Sequence, residues 1–173
     1  VAIGVDALGN QNFTTATDSL NTAVGYAAGL RVTTGTNNTL MGANTGDALT
    51  IGKDNVAIGR SALTTDDVGS QNVAIGSSAL ESQNAPGGTV NNFLNVAVGF
   101  EAGKATTEGY FNTLIGGKAG VAVTTGTGNT FVGNNAGDGT DDGTNNVAVG
   151  YETLSGNCGD GNTGLGFVAL QAC

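Results

Sequence analysis

Histidine and tryptophan are absent from this 173-residue chain, and proline and methionine occur once each. Without histidine, the commonest general base and metal ligand is missing. Five Lys and Arg stand against fourteen Asp and Glu, a net charge of −9, and such a deficit excludes the basic patches that grip nucleic acid. No apolar run approaches the ~18 residues of a membrane span, so membrane insertion is not expected. A lone proline excludes collagen, which needs Pro-rich Gly-X-Y triplets. The apolar share of 39% argues against a charged, disordered chain. No Ser-His-Asp arrangement and no phosphate loop with its lysine is found, so no catalytic and no cofactor-binding residue is assigned.

What the chain does have is glycine, 31 residues of it, and the glycine is periodic. A five-residue phrase recurs: Asn, then Val or Thr, a small or apolar residue, an aliphatic one, and Gly. It begins at Asn21, Asn38, Asn55, Asn72, Asn95, Asn112, Asn129, Asn146 and Asn162 and closes at Gly25, Gly42, Gly59, Gly76, Gly99, Gly116, Gly133, Gly150 and Gly166. The opening Val1–Gly4 is a tenth copy without its Asn. Six of the nine glycine-to-glycine intervals are 17 residues. A 21-residue interval carries an insertion within 6–20, and a 23-residue interval one around 84–89, beside the single proline, Pro86.

Such a period is the signature of a solenoid. Glycine in every turn costs a helix ~1 kcal/mol per residue, so the chain is expected to be all-β. The expectation is a single parallel β-solenoid over 1–173, of about ten 17-residue coils, forming a rod on the order of 45 Å long. Along each strand the first position is Val or Thr and the third is aliphatic, as in Val56 and Ile58. The second position, on the opposite face, is apolar too, as in Ala57 and Leu114. A strand apolar on both faces is buried on both. One face is the inside of the coil, and a neighbouring chain is expected to cover the other. The Asn residues are expected to form a ladder of side-chain amides from coil to coil. Glycine also recurs three residues before the Asn (Gly35, Gly52, Gly69, Gly109, Gly126, Gly143, Gly159), which predicts a turn with positive φ.

The phrases Asn72–Leu80, Asn55–Leu63 and Asn146–Leu154 resemble the YadA-like head repeats of trimeric autotransporter adhesins. Asn21–Thr39 resembles the related repeats of phage tail fibres. The resemblance covers essentially the whole chain and implies left-handed β-rolls, three chains packed along the rod axis, and a place outside the cell, on its surface or on a virion. The 17-residue coil is longer than the usual repeat of that family, and no anchor, heptad stalk or signal peptide is recognised. The implied function is a non-enzymatic structural or adhesive fibre module. The ends carry no recognised cap, so head-to-tail stacking into a filament is a further expectation.

Other features carry competing readings. The acidic stretch Gly137–Gly143 could hold calcium, but Thr140 and Val149 stand where an EF-hand needs acidic ligands, which favours a solvated turn. Asp66 and Asp67 are read as a solvated corner. The row Thr33, Thr50, Asp67, Thr107, Thr124 and Asp141 is an imperfect candidate for ice binding. Tyr26, Phe100, Tyr151 and Phe167, each just after a closing glycine, either stack on the sugars of a glycan or host-surface ligand or fill a groove between chains. Cys158 and Cys173, about one coil apart, are candidates for a disulfide.

Overall fold

The structure, a computed structural model, describes residues 1–84 and 92–172. Pro86 with the middle of the second insertion, and Cys173, lie outside the described residues. The chain is all-β and coils into a parallel β-solenoid of about nine turns. One short strand per coil enters a single ten-stranded parallel sheet in strict chain order. The strands are β1 (Ala2–Ile3), β2 (Thr22–Val24), β3 (Thr39–Met41), β4 (Val56–Ile58) and β5 (Val73–Ile75), followed by β6 (Val96–Val98), β7 (Thr113–Ile115), β8 (Thr130–Val132), β9 (Val147–Val149) and β10 (Thr163–Leu165).

Pairing is in register by repeat position, so Val56 lies beside Val73, Ala57 beside Ala74 and Ile58 beside Ile75. Identical chemistry therefore stacks on itself along the rod. The first insertion does not disturb this, because the backbone stacks on the next coil as far as Asn12, whose N–H donates to Thr33 O. The extra residues are confined to the stretch after it.

The second strand position faces inward. Ala23, Leu40, Ala57, Ala74, Ala97, Leu114, Phe131 and Ala148 are all fully buried within the chain's own coil. Three further rows complete the interior. A row of small residues follows three positions after each closing glycine (Ala28, Ala62, Ala79, Ala102, Ala119, Ala136), which keeps the coil thin. One position later comes Leu63, Leu80 and Leu154, or Gly29, Gly46, Gly103, Gly120 and Gly137, all with positive φ. The last row holds Val32, Leu49 and Val123, and also Asp66 and Gln83.

In six of eight coils two of these rows fill one volume between them. In the coils of Ala23 and Ala97 both positions are small (Gly29, Gly103), and Leu40 or Leu114 of the next coil reaches the space. Where the strand contributes Leu40, Leu114 or Phe131, the positive-φ position of the same coil is Gly46, Gly120 or Gly137. A Cβ on any of these three glycines would run into that strand side chain. Where the strand contributes Ala57, Ala74 or Ala148, the positive-φ position is Leu63, Leu80 or Leu154. Leucine is strained at positive φ, and the apolar volume it supplies to the interior offsets that strain.

The closing glycines have φ between +117° and +142°, a region open to glycine alone. The turn glycines have a different reason. Gly35, Gly52, Gly69, Gly109, Gly126, Gly143 and Gly159 do not take positive φ, contrary to the sequence expectation. Most are small because the coils touch there: a Cβ on Gly35, Gly52, Gly109 or Gly126 would collide with the carbonyl oxygen of the corresponding glycine one coil on. A Cβ on Gly69 would instead meet the Asp66 carboxylate, and Gly159 has no atom of the described residues within 4 Å.

Candidate functional site

Each asparagine of the phrase is held at the start of its strand and turned inward. Its Oδ1 accepts the backbone N–H of the next asparagine, through all eight steps from Asn21 to Asn162, at 2.8–3.2 Å. In most coils Nδ2 donates to a turn-glycine carbonyl, as Asn112 does to Gly126 O at 2.9 Å. This ladder satisfies backbone groups that a thin, dry interior would leave unpaired. It is structural, and it spends the amides that could otherwise meet a ligand.

The interior also contains a polar trio that the repeat pattern hides. Asp66 is fully buried, which corrects its reading as a solvated corner. Its place in the inward row of Val32 and Leu49 decides its direction, and the acidic neighbour Asp67 was a misleading cue. Asp66 Oδ1 accepts Gly69 N–H at 2.7 Å, and Oδ2 accepts Gln83 Nε2 at 2.7 Å. Gln83 Oε1 in turn accepts Asn95 Nδ2 at 2.8 Å. Loss of hydration pushes the Asp66 carboxyl above the ordinary carboxylate range, against the pull of these hydrogen bonds. All three side chains are fully buried and bonded to one another across successive coils, so the trio serves the coil-to-coil stack.

The threonine row is likewise consumed within the rod. Thr33, Thr50 and Thr107 hydroxyls donate to the carbonyl of the same row one coil on, at 2.9–3.2 Å, and Thr124 donates to Asp141 Oδ1. In the acidic stretch, Thr140 is buried while Asp141 and Asp142 are exposed. Among the described residues no group of three acidic, His or Cys side chains is placed to hold a metal. Cys158 is fully buried and is not a free thiol. Its expected partner, Cys173, lies outside the described residues.

The outer face of the sheet carries an apolar stripe. The first and third strand positions point outward, so Val and Thr run beside Ile, Val, Met and Leu for the length of the rod. Ile3, Met41, Ile115, Val147 and Leu165 are exposed by 37–77%, and Val56, Ile58, Val73, Ile75, Val96 and Val98 are half-buried. Two flanks border this stripe. On the asparagine side, two residues before each strand, stand Leu20, Asn37, Asp54, Gln71, Leu94, Phe111 and Asn145, all exposed. On the glycine side, two residues after each strand, Tyr26, Phe100, Tyr151 and Phe167 are 44–78% exposed. Tyr151 and Phe167 stack on each other with centroids 5.5 Å apart. The direction of the strand faces could not be read from the sequence, because both are apolar. The exposed residues before the asparagines carry no recurring residue type that would have marked them.

The few cations divide into two groups. Lys104 and Lys118 join Glu81 and Glu101 in an ion-pair network spanning three coils, and Arg31 lies beside Asp47. Lys53 and Arg60 have no ion pair among the described residues. Lys53 belongs to an open cavity of about 460 Å³ beneath the first insertion, lined by Phe13, Thr14, Thr15, Thr17, Thr34, Thr36 and Ile51 as well. No helix of the described residues is long and apolar enough to cross a membrane.

No protein-family model, no curated protein and no solved structure matches this chain.

Proposed function

We propose that the chain is a non-enzymatic structural and adhesive fibre module, of the adhesin-head or tail-fibre type, that acts outside the cell or on a virion. Its rods associate side by side through the outer stripe, three around an axis parallel to the rod. The observation that carries this reading is the uncovered aliphatic stripe, continuous over successive coils and bordered by exposed aromatic rings. Contiguous apolar surface on this scale marks an interaction site. The stacked coils make a stiff support, and weak contacts repeated along it gain by avidity.

Sedimentation equilibrium of the 173-residue chain tests the reading. The expected mass is that of a trimer, and replacing Ile58 and Ile75 by Lys should disperse it to monomers that keep the β circular dichroism of the parent. A wild-type chain that stays monomeric at high concentration would refute side-by-side assembly.

A glycan-binding module is a second reading, favoured by the cavity that sets Phe13, several threonine hydroxyls and Lys53, which has no ion pair among the described residues, around one space. An aromatic platform with hydroxyls suits a sugar ring, and the ammonium suits an acidic one. A glycan array supports this reading if binding to carboxylated sugars is lost on Phe13→Ala, and no binding at all discards it.

A further inference from the structure

In four of the nine full coils the two flanks of the outer face carry complementary residues. Asp54 stands two residues before β4 and Arg60 two residues after it, both exposed. Neither forms an ion pair among the described residues, and Asp54 accepts a single side-chain bond, from the Asn37 amide. Around β2 the corresponding residues are Leu20 and Tyr26, and around β6 they are Leu94 and Phe100, all exposed and apolar. Around β7 the bulky Phe111 stands opposite a glycine, Gly117. At these four strands charge is thus paired with opposite charge, apolar with apolar, and large with small, between positions on opposite sides of the same strand.

That pattern has a geometric meaning. When copies associate through the sheet face about an axis parallel to the rod, the asparagine-side flank of one copy meets the glycine-side flank of the next. With no axial shift, the residues that meet belong to the same coil. A shift of one coil would set Asp54 against Ala43 or Ser77 and leave Arg60 against an amide. A two-fold axis across the rod would set each flank against its own kind, so Asp54 would never meet Arg60. We infer that Asp54 of one copy pairs with Arg60 of a second copy, and that this pair, with the apolar pairs two coils away on either side, fixes the copies parallel and in register. This rests on the side-by-side reading above and names the residues that choose its geometry. The pair is the only one on these flanks with full opposite charges, so it discriminates between registers, while the apolar contacts supply most of the attraction.

Charge exchange tests the pair. By sedimentation equilibrium, Asp54→Arg and Arg60→Asp should each weaken assembly by about tenfold or more per interface, and the variant carrying both should recover most of the loss. The double variant Asp54→Cys, Arg60→Cys should form interchain disulfides under mild oxidation, read on a non-reducing gel. An assembled wild type that ignores the single exchanges, or whose double exchange fails to recover, overturns the pairing and leaves side-by-side assembly standing. Absence of interchain disulfide in an assembled double-cysteine variant does the same. A monomeric wild type overturns both.

Discussion

Leu63 holds a positive φ that leucine normally avoids, and the interior explains why it stays. It supplies the volume that Ala57, on the same coil, does not. The opposite solution appears one coil earlier, where Leu40 lies over Gly46. The two positions are therefore exchangeable as a pair and not singly. Leu63→Gly should cost about 2–4 kcal/mol, since it opens a cavity while relieving backbone strain. Ala57→Leu should cost about 1–3 kcal/mol by overpacking. The double variant should lie within about 1 kcal/mol of wild type, a coupling that denaturant unfolding of all four proteins would reveal. Simple additivity of the two losses would show that the rows do not share one space.

Turns and strands differ in how plainly their chemistry shows. The strand phrase stands out because each coil must place a β-branched, an inward and an aliphatic residue at fixed steps, and register copies that order upward. Which face looked inward stayed hidden, since Ala57 and Ile58 are both apolar. Asp66 was misread because a buried acid resembles an exposed one in sequence, and only its row, with Val32 and Leu49, gives its direction. The turn glycines were recognised as necessary but for the wrong cause, because residue identity does not separate a torsional need from a close approach. The cause is testable. Gly126→Ala places a Cβ against the Gly143 carbonyl and should destabilise by ~3 kcal/mol or more, since the coils must part there. Gly159→Ala has open space around it and should stay within about 0.5 kcal/mol of wild type. Equal effects at both sites would remove the close-approach account.

The net charge of −9 is spread along a rod in which one buried and two half-buried carboxyls resist ionisation. Asp66, Asp47 and Asp138 all lie above the ordinary carboxylate range, each chiefly through lost hydration. The folded chain therefore binds protons that the unfolded chain has already released. Stability accordingly falls as pH rises from the ordinary carboxylate value through these raised ones, and it is fullest below that window. Removing acidic self-repulsion acts in the same direction. The thermal midpoint at pH 5 should thus exceed that at pH 8 in equal salt. Asp66→Val with Gln83→Val, which copies the apolar row of neighbouring coils, should flatten that dependence. A midpoint that rises with pH would contradict the buried-acid account. The asparagine ladder bears on the molecule in one more way. Every step of it joins asparagine to asparagine, six of the eight across 17 residues, so a coil duplicated whole brings its own acceptor for the coil after it and its own donor for the turn. Length is therefore a trait this protein can change by copying, one coil at a time, without redesigning the ladder.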